Sequence, residues 1–555
     1  MSARHLTNRE KLVIMIAVMS GLFVVALDQT IVATALGAIV KDFHSYSSLG
    51  LVVTAYLLFM TITMPIAGKL SDLFGRRLLL LVGISVFTVG SLLSGVSQSI
   101  EQLITFRALQ GIGGGIIMAN AFTIIGDLFS PRERGKWQGI IGATFGLSSV
   151  VGPLLGGWLT DAHQIFGMTT DWRWNFFINV PVGIIAAILI AIYCPKLKHS
   201  TSTKVDYAGA SLLVVCLAAL IAAVDNTDLL FGWLISSAIT VGVIQIGLFF
   251  ISALALLGFI LVERKVSEPI IPLHFFKNRT FTSSMVSFVF FCAAFLAVIL
   301  YMTQFNQQVY GASATKSGLM LLPLILGMSI MSGAIGRIVS RTGKYKIFVV
   351  IGFLVATLGI FGLSLLRVDS PYWFQAAMMG LAGIGFGVGM PILNLAVQNE
   401  FDDKHLGVAT ASSQLFRGLG STLGTAALTA MLVAGIGVSL GNINKDPYIQ
   451  SLQRVPEARQ MIGGGDIDVN TALQINSQRQ TISDQAITGI NKSPLPPQLK
   501  QSQVATFEKQ QSMFSHNVTH SFANSLSWVF LVTTGLMGMA FVATLFIHEK
   551  ELSTV

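Results

Sequence analysis

Charge is scarce in this chain. Only 11% of its 555 residues are Asp, Glu, Lys or Arg, whereas a soluble globular domain carries roughly a quarter, so several water-facing domains are excluded. Disorder is excluded as well, because disordered segments are poor in aromatics and this chain has 37 Phe. The three cysteines, Cys194, Cys216 and Cys292, are far apart and lie in or beside apolar stretches, which leaves neither a disulfide framework nor metal-ligand spacing. No phosphate-cradling G-x-x-x-x-G-K-[ST] loop occurs: upstream of Gly68, Gly135 and Gly343 the required first glycine is Thr63, Ser130 or Ile338, so ATP-driven pumping lacks its motif. There is no H-E-x-x-H, and Gly437-Val-Ser439-Leu-Gly441 ends an apolar run instead of forming a strand-to-helix elbow. All nine His lie outside the long apolar runs. An enzyme and a histidine proton relay both lack their residues.

What the chain has is apolar length. Hydrophobic residues make up 53% of it, and runs of ~20 apolar residues are long enough to span a bilayer as helices. Such runs occupy residues 12–34, 50–68, 78–97, 102–127, 136–160, 174–194, 206–224, 232–262, 281–303, 317–338, 347–366, 372–397, 406–437 and 522–547. The first is too long for a signal-peptide h-region and has no cleavage site, so it is expected to remain as a span. A polar insertion, 438–521, rich in Gln, Asn, Ser and Thr, separates the last two runs. The expected fold is therefore all-α and polytopic, with fourteen transmembrane helices and both termini on one side of the membrane.

The basic residues choose that side. With the N-terminus inside, short internal segments hold 22 Lys and Arg, while short external ones hold four: Lys41, Arg173, Lys316 and Arg367. Seven more lie in the long insertion, which the positive-inside rule discounts. Cytoplasmic termini follow. The net charge of +9 is then a topology signal, and a nucleic-acid partner loses its support.

Two arginines, Arg107 and Arg417, and one acid, Asp28, lie inside predicted spans away from their end residues. A charge at mid-bilayer costs roughly 2.5–3.5 kcal/mol on insertion scales and marks a functional site by default. Asp28 can exchange a proton for a ligand if its surroundings alternate, because desolvation raises a carboxyl pKa and a nearby cation lowers it. A fixed pair with Arg107 is the structural alternative. For Arg417, a functional charge and a helix-packing contact are both open. No acid lies centrally in a span after residue 280. The second half therefore offers a ligand Tyr301, Gln304, Asn394 and Gln414, with Tyr56 and Asn120 in the first half, although such side chains also serve as helix–helix hydrogen bonds.

Gly68-Lys-Leu-Ser-Asp72-Leu-Phe-Gly75-Arg76-Arg77, in the loop between the second and third spans, resembles the signature loop of the major facilitator superfamily. Arg107-Ala-Leu-Gln-Gly111 is similar to the fourth-helix motif of its proton antiporters, and Gly146 to Gly157, with Gly152-Pro153, to the fifth-helix motif of its exporters. Leu27-Asp28-Gln-Thr-Ile-Val32 and Trp172-Arg-Trp174-Asn-Phe-Phe-Ile-Asn179-Val-Pro181-Val-Gly183 resemble the fourteen-helix drug:proton antiporters (QacA/EmrB-type). The chain departs from that pattern at Ala33 and Gly37, at Leu51 in place of a Trp, and at Ser340, where the second-half copy of the loop would carry Asp.

The resemblance implies two six-helix bundles, residues 1–200 and 266–555, with two inserted helices in 201–265, and a midplane site exposed alternately to each side. It implies that Asp28 couples protons to substrate and that Arg107 modulates it. Gly68, Asp72, Gly75, Arg76 and Arg77 would latch the cytoplasmic gate, and Gly152 and Pro153 would shape the fifth helix; Arg417 is grouped with these conformational residues. The expected function is proton-coupled export of neutral or monocationic amphiphiles such as drugs, dyes and antiseptics, from a multi-pass protein of the cell membrane acting as a monomer. No cofactor is expected beyond the coupling protons, and no metal. The alternatives are an exporter of a lipid, lipid precursor or metabolite on the same fold, and a non-transporting membrane sensor or scaffold.

Overall fold

The structure, a computed structural model, describes residues 7–43, 49–160, 164–165, 167–195, 206–224, 227–231, 240–266, 269–312, 314–402, 405–454, 467, 469–477, 479–492 and 496–552. Among the described residues the regular structure is helical apart from one short hairpin, β1 (Gln164–Ile165) with β2 (Met168–Thr169). The first helices are α1 (Asn8–Phe43), α2 (Leu49–Phe74), α3 (Arg76–Gly95), α4 (Ile100–Leu128), α5 (Pro131–Thr160), α6 (Trp174–Phe177) and α7 (Asn179–Tyr193). Then come α8 (Tyr207–Val224), α9 (Thr227–Phe231) and α10 (Val241–Glu263). The remainder comprises α11 (Arg279–Gln308), α12 (Ala314–Met320), α13 (Leu322–Thr342), α14 (Lys346–Ser364), α15 (Tyr372–Glu400), α16 (Leu406–Leu440), α17 (Pro447–Arg454), α18 (Val469–Ser477), α19 (Arg479–Lys492) and α20 (Pro497–Leu545).

Among the described residues thirteen helices are long and apolar enough to cross a membrane. The 30-residue α5 occupies the place of the fifth predicted span. The start of the eighth predicted span, 232–239, lies outside the described residues. Side-chain caps set several helix starts: Ser99, Thr240 and Asn278 accept from the first free backbone N–H groups of α4, α10 and α11.

Packing sorts these helices into two sets. In the first, α4 sits against α2 and α3, while α1 runs along α5 and α7. In the second, α15 sits against α13 and α14, and α11 lies between α16 and α20. The sets meet where α5 crosses α13 and α15, and where α2 and α4 meet α16. The pair α8–α10 stands outside both and touches α2 and α16, so it covers the seam between the sets. Its outer helix shows lipid-type surface, with Ile246 71% and Phe250 63% exposed; faces this apolar are stable against hydrocarbon and unstable against water.

The described residues of the polar insertion 438–521 pack together. Tyr448 of α17 is fully buried against Phe507 and Phe514 of α20, both with ring centroids at 5.3 Å. Gln511 donates to the Tyr448 hydroxyl at 2.9 Å and to the Arg479 carbonyl at 2.8 Å. Below this layer Gln308, at the end of α11, donates to the Leu473 carbonyl at 3.0 Å and accepts from Asn476 at 2.8 Å. The last helix accordingly begins at Pro497, not near 522, and runs 49 residues without a break. At the other end of the bundle, Lys11 lies over the Phe129 ring and Arg132 donates to the Leu552 carbonyl, so both described ends of the chain meet the α4–α5 turn.

Candidate functional site

The charged residues inside the predicted spans and in the 68–77 loop occupy three settings. The first is a closed polar cluster inside the α1–α7 set. Asp28, just past the middle of α1, pairs with Arg107 of α4 through one carboxylate oxygen. Its other oxygen accepts from Gln110 at 2.8 Å and from Asn179 at 3.1 Å. Gln110 and Asn179 also both donate to Ser91, at 2.6 and 3.1 Å, and the Gln110 carbonyl accepts from Arg107 at 2.7 Å. The guanidinium lies over the Tyr56 ring, 4.2 Å from its centroid, and donates to the Val52 carbonyl at 3.3 Å. Asp28, Arg107, Gln110, Ser91 and Asn179 are buried. Such a cluster gives both carboxylate oxygens donors in a place shut off from water, as a buried polar group requires.

The second setting is the turn after α2. Gly75 has φ 100, a conformation that costs glycine little and other residues much; it swings Arg76 back under α2. Arg76 is fully buried, paired with Asp72 and, at 2.8 Å, with Asp127 at the end of α4. Asp72 abuts Gly407 in the first turn of α16, where the helix dipole favours a negative charge. Gly68 abuts Ala411 one turn further on. Arg77 instead donates to the Ala191 carbonyl of α7. Nearby, Gln138 donates to Gln398 at 3.2 Å, Gln398 to the Phe122 carbonyl at 3.0 Å, and Ser332 to the Gly139 carbonyl at 2.9 Å. These contacts tie the two sets together on the face that carries the 68–77 loop.

The third setting is a cavity of about 610 Å³ between the sets, lined from α1, α2, α4, α5, α8, α11, α15 and α16. Its wall is mostly apolar, with Leu57, Met60, Phe145, Phe295 and Ile299 among the lining residues. Neutral polar groups punctuate it: Gln29, Thr30, Thr54, Gln414, Ser421 and Thr425. Arg417 is the single charged residue on the described wall. Its guanidinium faces the Phe145 ring at 4.9 Å, the Phe122 ring at 5.7 Å and the Met390 sulfur at 3.7 Å.

The structure redistributes several residues read from the sequence. Asp28 and Arg107 come together as a pair, but Asp28 and Tyr56 lie behind the described cavity wall, and it is their neighbours Gln29 and Leu57 that reach it. Asn120 is buried and donates to the Ile116 carbonyl one turn back. Tyr301 is turned into the helix packing: its hydroxyl contacts Thr429 at 3.0 Å and the Thr425 carbonyl at 3.3 Å. Asn394 donates to the Met390 carbonyl and meets Gln414 behind the wall. Gln304, partly buried on α11, is not on the described wall. Of the residues read as substrate-binding, only Gln414 lines the cavity. Arg417, grouped with the gate, lies on the cavity wall instead. Gly152 abuts Thr30 so closely that an added Cβ would stand 1.9 Å from the Thr30 hydroxyl, which lets α5 approach α1 beside the wall; the Pro153 side chain lies outside the described residues.

Sequence reading missed Gln110, Ser91 and Asp127. Gln110 carried a signal, since it shares a helix face with Arg107 three residues before it. Ser91 and Asp127 carried none without knowing which helices meet.

A transmembrane helical bundle in two sets, latched at one face around a central cavity, is the architecture of a carrier. The Major Facilitator Superfamily model matches residues 18–425, and the chain belongs to that superfamily of membrane transporters. Similar proteins include the multidrug transporter protein MdtP of Bacillus subtilis (strain 168), 37% identical over 484 residues covering 87% of this chain and 86% of that one. Multidrug resistance protein 3 of the same organism is 36% identical over 411 residues, covering 74% and 77%. Among solved structures, the human organic anion transporter MFSD10 aligns with a TM-score of 0.57 at 14% identity, over 96% of this chain and all of that one. The proton:xylose symporter XylE aligns at 0.56 and 15%, over 77% and 90%; at these identities the two structures share the fold alone. The chain is thus a multi-pass membrane transporter with efflux pumps among its relatives.

Proposed function

We propose that the chain is a proton-coupled exporter of amphiphilic small molecules that works by alternating access as a monomer, with both termini in the cytoplasm. The observation that carries this reading is the position of Asp28 immediately behind the cavity. Gln29 and Thr30, the next two residues of α1, line the wall, while the Asp28 carboxylate is held on the other side by Arg107, Gln110 and Asn179. Protonation removes the charge that these donors hold. Arg107 is then released from its partner, and α1 is free to turn or shift against α4 and α7. Because Gln29 and Thr30 ride on the same helix, that movement alters the wall that grips the substrate. Proton and substrate are coupled through one helix without sharing one atom.

The two packed sets are the units that rock in this cycle, and the contact of Asp72 with the start of α16, braced by Arg76 and Asp127 within the first set, is broken and remade as the cytoplasmic side opens and closes. The apolar wall suits amphiphiles, in keeping with the names of the multidrug relatives. The test uses everted membrane vesicles with an imposed proton gradient, and two fluorescent probes: neutral Nile red and anionic dansylglycine. Accumulation of at least one probe that collapses with a protonophore and is absent in Asp28→Asn supports the reading. Equal gradient-driven accumulation in wild type and Asp28→Asn refutes it.

A further inference from the structure

The buried arginines of this protein are not treated alike. Arg76 has Asp72 and Asp127, and Arg107 has Asp28. Arg417 has no carboxylate within ion-pair distance among the described residues, although it lies in a membrane-embedded cavity. A guanidinium stays protonated at any physiological pH, and a buried charge without a counter-ion is strongly unfavourable. The ring faces of Phe145 and Phe122 and the Met390 sulfur solvate the cation only in part. The α16 residues of the wall one turn either side of Arg417 are neutral: Gln414 before it, and Ser421 and Thr422 after it. Gln414 spends its amide N–H on Asn394, at 3.4 Å, and its carbonyl oxygen is buried with no partner among the described residues.

We propose that the missing counter-ion is the substrate, and that the cavity selects amphiphilic organic anions. A carboxylate or sulfonate sits on the Arg417 fork, and the apolar body lies along Met60, Phe295, Leu296 and Ile299. The Gln414 carbonyl accepts a hydroxyl or amide N–H placed a few ångströms from the acid. An organic cation brought to the same place meets Arg417 with like charge and finds no acid on the described wall, because Asp28 is already held by Arg107. The inference rests on reading this cavity as the transport site, but it concerns recognition and not energy coupling.

Equilibrium binding therefore tests it, with purified full-length protein in lipid nanodiscs and no proton gradient. Three probes share one fluorophore: dansylglycine, its neutral methyl ester, and the cationic dansyl-ethylenediamine. Wild type is expected to bind in that order, strongest first. Arg417→Gln should weaken dansylglycine by about tenfold or more, the range for losing a hydrogen-bonded charge partner, and leave the ester within about twofold. Arg417→Lys, which keeps the charge and loses the fork, should fall between. Thermal melting of each variant separates loss of binding from loss of fold. Equal affinity for the ester and the acid in wild type, preference for the cation, an Arg417→Gln variant that keeps its affinity for dansylglycine, or no dansylglycine binding at millimolar concentration would each overturn the proposal. Binding is read without a gradient in wild type and the Arg417 variants, whereas coupling is read as gradient-driven uptake in Asp28→Asn vesicles, so a failure of coupling and a failure of anion recognition give different results.

Discussion

Arg107 and Arg417 both lie inside apolar runs of the sequence, away from the run ends, and the fold surrounds them in opposite ways. Arg107 reaches Asp28 across the α1–α4 contact, and Gln110, Asn179 and Ser91 extend the pair into a network with donors on both carboxylate oxygens. Arg417 reaches aromatic rings and a thioether at the edge of an open cavity. One cation is neutralised within the protein, and the other is left to be neutralised by something that enters. The difference teaches that a charge in the membrane region does not define a site by being there; whether its partner belongs to the fold decides what it can do.

Breaking the closed pair should have the largest effect. Arg107→Gln takes the cation away from the buried Asp28, so the variant should lose about 3–5 kcal/mol of stability, the usual penalty for removing one member of a buried pair. Thermal unfolding in nanodiscs checks this, and adding Asp28→Asn to Arg107→Gln should recover most of the loss without recovering gradient-driven transport. An unchanged melting temperature in Arg107→Gln would mean that the amides alone can hold the carboxylate. The same change at the open site should behave differently. Arg417→Gln removes a cation that has no protein partner, so its melting temperature should stay level or rise; a loss comparable to that of Arg107→Gln would mean that Arg417 is structural.

A partner can also be supplied. Ser421 lies on the cavity wall one helical turn after Arg417, and Ser421→Asp places a carboxylate at the i+4 position, where opposite charges meet. This variant should abolish the preference for dansylglycine over its ester, as though Arg417 had become a second Arg107. Retention of the preference would show that the anion sits elsewhere.

The smallest expected effect lies in the folded insertion. Burial pushes the Tyr448 hydroxyl up to about 12 from an ordinary value of 10.0. The folded insertion thus favours the neutral phenol; its contribution to stability is complete below pH ~10 and is lost as the pH rises toward 12. Ultraviolet titration should find absorbance from tyrosines that ionise late, and Tyr448→Phe should lower it by one tyrosine's share.

Much of the architecture is legible in the residues. Scarce charge and long apolar runs locate the helices, because a backbone in hydrocarbon must satisfy its own hydrogen bonds. The 68–77 loop shows itself through glycines and charges at fixed spacing, and Asp28 and Arg107 stand out as charges in apolar surroundings. The insertion was illegible because its core is small: Tyr448, Phe507 and Phe514 are far apart in a stretch dominated by polar residues. Which amides and tyrosines would reach the cavity was illegible for another reason. On a buried helix every face is covered, so polarity does not reveal whether Tyr301 points at a neighbouring helix or into open space.

By itself the sequence determined that this chain spans a membrane many times, where most of its helices lie, and that its few buried charges matter, because apolar length and isolated charge are local properties. Only the tertiary structure decided which charges are paired. Asp28, Arg107 and Asn179 are separated by 79 and 72 residues along the chain, and Arg417 has no acid at ion-pair distance among the described residues: Asp72 and Asp127, acids of the neighbouring α2 and α4, are held at Arg76. Pairing depends on which faces meet in space, and that is settled by packing.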